Sequence, residues 1–578
     1  MEANVHHIAS LVMASKPQPE QQQQQQQKAS EEDPPPPRVD AVRGLVGEEL
    51  LQTEDDDASS SVPETTRREV WAWYAYYVGA NGLALFNYGP TAFQSLLQQA
   101  ADDADTNASS AAGLLPFAGR DRDVNSILLI ANGVSFAAQA VLFLLIGAYA
   151  DFGPSPVRRA ILLAWSLVGW AVGFAWLAVR HPSQWRAATG LYVVGLIAYQ
   201  LTLTYWTAAF PELARNAPGM REARREAART GLTEGLLRRD ELERSRLSNV
   251  AFWAQSVGEL AILAVIVGIL FGLGYSNAAD VDPAANSRGL SIVIAFTAGC
   301  WLVLSAGWFL LEKRRPGRPI PAGRGPLTVG LWQLREAAVL IWRLRQSLIF
   351  LAGYFLLGDS LNTTVTVIAT LQNQIVSYST LTLTYLLIVG IAAQAAGIGA
   401  FWLVQRRLRL GPKAMFCAVM VGIVLLDGWG MVGNWTDRFG FRNPWEVWAY
   451  QAFYGLFVCP WYSYSQIMIS SVTPPGHEFL FFSVFNVIGK ASSFIGPLIS
   501  SAIIDASPGG KNNSAPFYFL FALSLVSAVA IWLFVDLDKS AKEQADFLAQ
   551  EQKRLAGTSS DDEAPGVNMK SGKPHAVR

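Results

Sequence analysis

Long runs of apolar residues, almost free of charge, alternate along this chain with short polar stretches. Residues 126–150 and 250–273 are typical, each offering the roughly 20 residues that carry a helix across about 30 Å of hydrocarbon. A helix on a water-soluble core would keep a polar stripe, and these runs have none. The pattern predicts about twelve spans, at 70–97, 126–150, 157–179, 187–210, 248–273, 289–311, 347–370, 381–404, 414–433, 446–472, 481–504 and 517–536. They form two groups of six, so the expected fold is an all-α membrane protein with an N-terminal half at 66–311 and a C-terminal half at 347–538. Between them the Pro-, Gly- and Arg-rich connector 312–346 reads as cytosolic, with an amphipathic helix lying on the membrane around 331–345.

The ends of the chain follow a different pattern. Residues 1–65 hold a glutamine tract from Gln21 to Gln27, the run Pro34 to Pro37 and the acidic cluster Glu54 to Asp57, a composition that cannot bury enough apolar surface to order itself. Residues 539–578 form a second polar tail, expected to be helical at first. No signal-peptide core follows Met1, so the first span is expected to serve as the membrane-targeting signal.

Composition narrows the function classes. Hydrophobic residues make up 51% of the 578 and charged ones 16%, with a mean hydropathy of +0.23, which excludes a single aqueous core. Net charge is −1 with no isolated basic domain, so a nucleic-acid partner is not expected. Cys300, Cys417 and Cys459 each sit inside an apolar run, and the five histidines all lie outside the spans. Without HExxH, GxSxG, Walker or GxGxxG contexts, neither a catalytic centre nor a metal or cofactor site is predicted.

Trp71, Trp73, Tyr74, Trp176, Trp185, Trp402 and Trp448 stand near the ends of runs, where amphipathic rings settle at the headgroup level. Basic residues concentrate in the loops after even-numbered spans, at Arg158 and Arg159, through 215–246 and 313–345, and at Arg406, Arg407, Arg409 and Lys413. By the positive-inside rule these loops and both termini are cytosolic. The glycosylation sequons at Asn107, Asn434 and Asn512 fall in the opposite loops, in agreement, while a fourth at Asn362 falls inside a span.

Charged groups at membrane depth cost roughly 2.5–3.5 kcal/mol or more and usually face a partner or a wet cavity. Glu259, Asp359, Asp427 and Lys490 qualify. Asp359 and Lys490 form either a buried ion pair or contacts to the amine and carboxylate of a zwitterionic substrate. Glu259 is a candidate proton carrier or a carboxylate satisfied by Gln255 one turn away, and Asp427 belongs to a helix expected to be peripheral. Asn81-Gly82 and Asn87-Tyr-Gly89-Pro90 interrupt span one, as Gly496-Pro497 interrupts span eleven, each freeing backbone carbonyls that hydrocarbon cannot satisfy. Asn132, Gln200, Asn362, Gln451, Gln466 and Asn486 are candidates either to line a cavity or to join helices.

Two motifs carry a resemblance. Gly147-Ala-Tyr-Ala-Asp151-Phe-Gly153, with Arg158 and Arg159 behind it, resembles the G-x-x-x-D…R-R cytoplasmic signature of the major facilitator superfamily. Gly147, Asp151, Arg158 and Arg159 are therefore gating candidates, with a turn-and-cap role for Asp151 as the alternative. The run from Thr473 through Pro474, Pro475, Gly476 and Glu478, followed by Lys490, Ser492, Ser493, Gly496 and Pro497, resembles the PPG-x-E-x-x-F-F…K-x-S-S-x-x-G-P signature of the autophagy-related protein 22 family, fungal vacuolar transporters of that superfamily. Glu69-Val-Trp-Ala-Trp-Tyr-Ala-Tyr-Tyr, which opens span one, and the Gln405-Arg-Arg run are similar as well, and the likeness covers roughly residues 66–540. It departs at Asn81-Gly-Leu, where many members have Glu-Pro-Phe, and at Ser256-Val-Gly258-Glu259.

The resemblance implies a major facilitator-type bundle in the vacuole membrane that exports amino acids, leucine-like ones included, after autophagic breakdown of protein. Its partners are then the small-molecule substrate, the lipid bilayer and protons as a candidate coupling ion, with a monomer as the working expectation. A membrane receptor or scaffold of transporter ancestry, and a transporter for a sugar, drug or organic anion, stay open as alternatives.

Overall fold

The computed structural model of the protein describes residues 63–106, 114–146, 155–230, 234–275, 282–315, 335, 338–375, 379–408, 410–474, 481, 484–485, 488–489, 493–510 and 512–561. In the N-terminal half α1 (Arg67–Gly79) and α2 (Gly89–Thr106) make the first crossing, followed by α3 (Val124–Ile146), α4 (Ser155–Ala175) and α5 (Trp185–Thr207). Short helices α6 (Phe210–Arg215) and α7 (Pro218–Thr230) lead into α8 (Glu234–Gly272) and α9 (Pro283–Leu311). The C-terminal half holds α10 (Arg345–Ile375), α11 (Thr380–Leu408), α12 (Pro412–Val432), α13 (Pro444–Phe453), α14 (Trp461–Ser471), α15 (Ile495–Ala506) and α16 (Pro516–Phe534), and α17 (Leu537–Asp561) follows it.

Among the described residues nine helices are long and apolar enough to span a bilayer. The three remaining crossings, the first, tenth and eleventh, are interrupted, and proline explains two of the breaks. Pro90 cannot donate to the Phe86 carbonyl, and the chain relaxes into a π turn at Leu83–Tyr88. It enters that turn through Gly82 at φ 93°, where a Cβ would lie 2.7 Å from the Tyr199 hydroxyl. Pro460 does the same in the tenth crossing, where a π turn at Tyr454–Val458 separates α13 from α14. In the eleventh crossing α15 starts at Ile495, so Gly496 and Pro497 stand at the interruption and open a helix, and Pro497 occupies a first-turn position where its missing N–H costs nothing.

Two features of the loops were not expected. Strands β1 (Leu114–Phe117) and β2 (Arg120–Asp123) pair antiparallel, with Leu114 opposite Asp123 and Phe117 opposite Arg120. Ala118 and Gly119, at φ 50° and 79°, supply the left-handed pair that a two-residue hairpin turn needs. At the other end of the bundle, where the described residues begin and end, α17 is clamped onto the C-terminal half. Gln346 takes the Asp536 N–H at 2.8 Å and gives its own backbone N–H to Glu543 at 2.8 Å, while Gln544 donates to the Ser471 carbonyl at 3.1 Å.

The same end of the N-terminal half is fixed by a buried ion pair. Arg315 meets Glu69 through two bonds of 2.8 Å, Lys313 gives its N–H to that carboxylate at 3.0 Å, and Thr65 ties in through the Leu213 carbonyl at 3.1 Å. Each half has its own apolar core, and each core borrows from the other: Leu381 and Leu383 of α11 pack into the first, Leu129 of α3 into the second.

Candidate functional site

Polar contacts between the halves gather near the hairpin. Arg122 of β2 pairs with Asp505 at the end of α15, and Ser126 of α3 reaches both Asp505 at 2.6 Å and Ser501 at 2.8 Å. Gln94 of α2 donates to the Thr370 carbonyl at 3.0 Å and accepts from Asn373 at 2.8 Å, while Thr91 donates to Asn373 at 3.1 Å. Asn286 accepts from the Thr380 backbone at 2.9 Å, Tyr88 meets Thr384 at 2.8 Å, and Asn132 donates to Thr366 at 3.1 Å. These side chains are buried or half-buried, so the hairpin end is shut by a polar seal made of parts from both halves.

Helix α14 exposes Tyr462, Gln466 and Ser470, one turn apart on a single face, and Tyr462 is 53% exposed. A polar face at membrane depth is stable only beside water or protein. Tyr462 is within electrostatic reach of Tyr77 and Tyr199 in the N-terminal half, and of Tyr354 and Tyr454 in its own half. Its ring therefore lies within reach of both halves. In the N-terminal half Tyr77 and Tyr199 are near Glu259, which is 6% exposed and accepts from Gln255 at 2.5 Å. Asn81 lies at the break in the first crossing; its Oδ1 caps the Leu83 N–H at 3.0 Å, and its buried Nδ2 has no partner among the described residues.

The groups near Tyr462 and Glu259 thus include a carboxylate, an amide donor without a partner among the described residues and several phenol hydroxyls, a set suited to a small polar solute. The tyrosines escape a reading by sequence because they come from four different crossings, and an isolated Tyr in an apolar run looks like packing. Proline was the available signal: Pro460, two residues before Tyr462, marks an irregular crossing.

A family model described as "Vacuole effluxer Atg22 like" matches residues 65–545. The chain belongs to this family. Among curated relatives, autophagy-related protein 22-1 of Phaeosphaeria nodorum is 23% identical over 88% of this chain and 97% of its own length. Autophagy-related protein 22-2 of Aspergillus fumigatus is 25% identical over 85% of this chain and 92% of its own. The fold is similar to the crystal structure of a D-xylose–proton symporter, with a TM-score of 0.50 at 12% identity, covering 82% of this chain and 98% of that one. The family is thus that of a vacuole effluxer-like membrane protein, and the fold is of the major facilitator type.

Within the effluxer family signature the structure explains Gly496. A Cβ there would lie 2.0 Å from Thr363 Oγ1 and 2.9 Å from Asp359 Oδ1, so only glycine lets α15 approach α10 this closely. Asp359 accepts the Gly496 N–H at 2.9 Å, placing a carboxylate at the positive N-terminus of α15, and Asn362 donates to Ser493 at 2.8 Å. Pro474 is buried just beyond α14. Pro475, Gly476, Glu478, Asn486, Lys490 and Ser492 lie outside the described residues, and so does the proposed pairing of Lys490 with Asp359.

Other candidates turn out to join helices. Gln451 donates to Gln372 at 2.9 Å, and Asp427, fully buried, accepts from Thr364 at 2.5 Å and Ser360 at 3.3 Å. Of the gating candidates, Arg158 is buried between Glu212 at 2.8 Å and Glu312 at 3.5 Å, and Arg159 donates to the Phe309 carbonyl, all within the N-terminal half. Gly147 and Asp151 are outside the described residues, as is the sequon at Asn107. The other two sequon amides are engaged: Asn434 donates to the Ser514 carbonyl at 2.8 Å, and Asn512 donates to Asn434 Oδ1 at 3.2 Å.

Proposed function

We propose that the protein releases amino acids, leucine-like ones included, from the vacuole lumen into the cytosol by alternating access, with the hairpin end lumenal and both termini cytosolic. The observation that carries this reading is the asymmetry between the two ends of the bundle: a cross-half polar seal at the hairpin and an exposed tyrosine within reach of both halves on the other side. In this orientation the structure corresponds to the releasing state. Breaking the seal while the halves close around Tyr462 produces the loading state, and differential binding of solute to the two shifts their populations.

Glu259 is assigned to the substrate ammonium and to proton coupling, Asn81 Nδ2 to a substrate oxygen and Tyr462 to the side chain or ammonium, with Lys490 as the carboxylate partner. Asp359, Asn362 and Gly496 hold the eleventh crossing in place and act on substrate only through it.

The test is efflux of labelled leucine, other amino acids, xylose and an organic anion from vacuoles with and without the protein. Glu259→Gln and Tyr462→Ala are each expected to lower amino-acid efflux about tenfold or more, the effect of losing roughly 1.4 kcal/mol of solute binding or more. Unchanged amino-acid efflux without the protein would overturn the substrate class. Intact flux in both variants, with loss of phenotype only on removing the tails, would point to a scaffold.

A further inference from the structure

The polar groups placed between the halves leave a basic groove of the N-terminal half unexplained. It has a volume of about 270 Å³ and runs between the first two turns of α4, at Pro156, Arg159, Ala160 and Leu163, and the chain leaving α9 at Glu312, Lys313 and Arg314. Both helices enter the bilayer at this level, since the spans cover Pro156–Ala178 and Pro283–Leu311. One wall is apolar and open: Pro156 and Ala160 are exposed, as is Leu163, and nearby Leu310 is 82% exposed.

The charge in the groove is unbalanced. Glu312 is matched by Arg158, which also holds Glu212. That leaves Arg159, Lys313 and Arg314 facing two carboxylates that already share one guanidinium. Arg159 commits a donor to the Phe309 carbonyl and Lys313 commits one to the Glu64 carbonyl at 2.6 Å, but each cation has further donors. Arg314 is exposed and has no partner among the described residues.

We propose that this groove binds an anionic phospholipid of the surrounding leaflet. Its phosphate sits between Arg159, Lys313 and Arg314, and an acyl chain lies along Leu163 and Leu310. Basic pockets between spans at the membrane boundary are suited to such headgroups, and the open leucines supply the apolar surface that a free anion would not use. The site depends on the bundle crossing a bilayer, and not on which solute is carried, so it can fail while the transport reading stands and the reverse.

The test uses the full-length protein in phosphatidylcholine nanodiscs with and without phosphatidylinositol, counting retained lipid by native mass spectrometry. Phosphatidylinositol is expected to be retained in preference to phosphatidylcholine, and Arg314→Gln to weaken retention about fivefold, the effect of removing one interfacial cation. Arg314→Lys, which keeps the charge, should hold the lipid. Because Arg314 braces nothing in the fold, its loss reads binding alone, whereas Arg159→Gln also releases Phe309 and serves as the stronger second variant. Equal retention by Arg314→Gln and the wild type, or equal retention of both lipids, would overturn the proposal. Displacement of the lipid by millimolar inorganic phosphate would also overturn it, by marking a site for free anions.

Discussion

Removing the Asp505 carboxylate offers the most direct access to the conformational cycle. In Asp505→Ala the seal loses the ion pair with Arg122 and the Ser126 hydroxyl bond of 2.6 Å. A hydrogen bond to a charged group contributes about 1.5–3 kcal/mol. The two partners of the ion pair keep 15% and 23% of their side-chain surface, so solvent screens part of it and about 2 kcal/mol is a fair total. That shifts the ratio of sealed to open hairpin ends by about 30-fold.

The shift can be read from the labelling rate of a cysteine at Ser500, fully buried beside the seal residue Ser501, in a background where Cys300, Cys417 and Cys459 are replaced. Maleimide reacts there only when the hairpin end opens, so its rate should rise about 30-fold in Asp505→Ala, with the same cysteine and the seal otherwise intact. A compensating Arg122→Ala should add little, because its partner is already gone. An unchanged labelling rate, or a rate that rises equally at a cysteine placed elsewhere in the core, would refute the seal as a gate.

Three further outcomes are expected. Gly496→Ala drives a methyl group to 2.0 Å from Thr363 Oγ1 and should cost about 1–3 kcal/mol as lowered thermal stability, with Thr363→Ala partly restoring it by removing that oxygen. Arg315→Ala leaves Glu69, which is fully buried, without its guanidinium and should cost about 3–5 kcal/mol, seen as loss of monodisperse protein on heating, whereas Lys313→Ala should be mild because only its backbone N–H reaches Glu69. Burial pushes the Glu312 carboxyl up to about 7 against the pull of Arg158 and Arg159, so this arrangement holds a proton that an exposed glutamate would release. Its contribution to stability is complete below about pH 4.5 and is lost as pH rises through about 7; Glu312→Gln should flatten that part of the melting profile.

The crossings could be read from the sequence because hydrocarbon sets a length and forbids charge, and residues 412–432 or 516–534 have almost no other solution. Local chemistry was equally legible: Gln255 and Glu259 are one helical turn apart, so their bond follows from spacing alone. Breaks are harder, because proline shows that an amide is missing without showing how the chain adapts. At Pro90 and Pro460 it widens into a π turn, whereas at Pro497 a new helix begins. Partnerships across the bundle had no local trace. Nothing near Asp359 indicates that its acceptor would serve the Gly496 amide 137 residues away, nor does anything near Tyr462 indicate the company of Tyr77.

The amides of Asn434 and Asn512 carry a consequence for how the chain is made. A sugar replaces one of the two N–H bonds on each nitrogen and crowds the other, whereas the folded protein packs both residues into a closure that fastens the turn after α12 to the one before α16. An oligosaccharyl enzyme would therefore have to reach them while the last crossing is still emerging from the translocation channel. The degree of sugar occupancy at these positions would act as a clock, recording how long the polypeptide waits before its final helix docks.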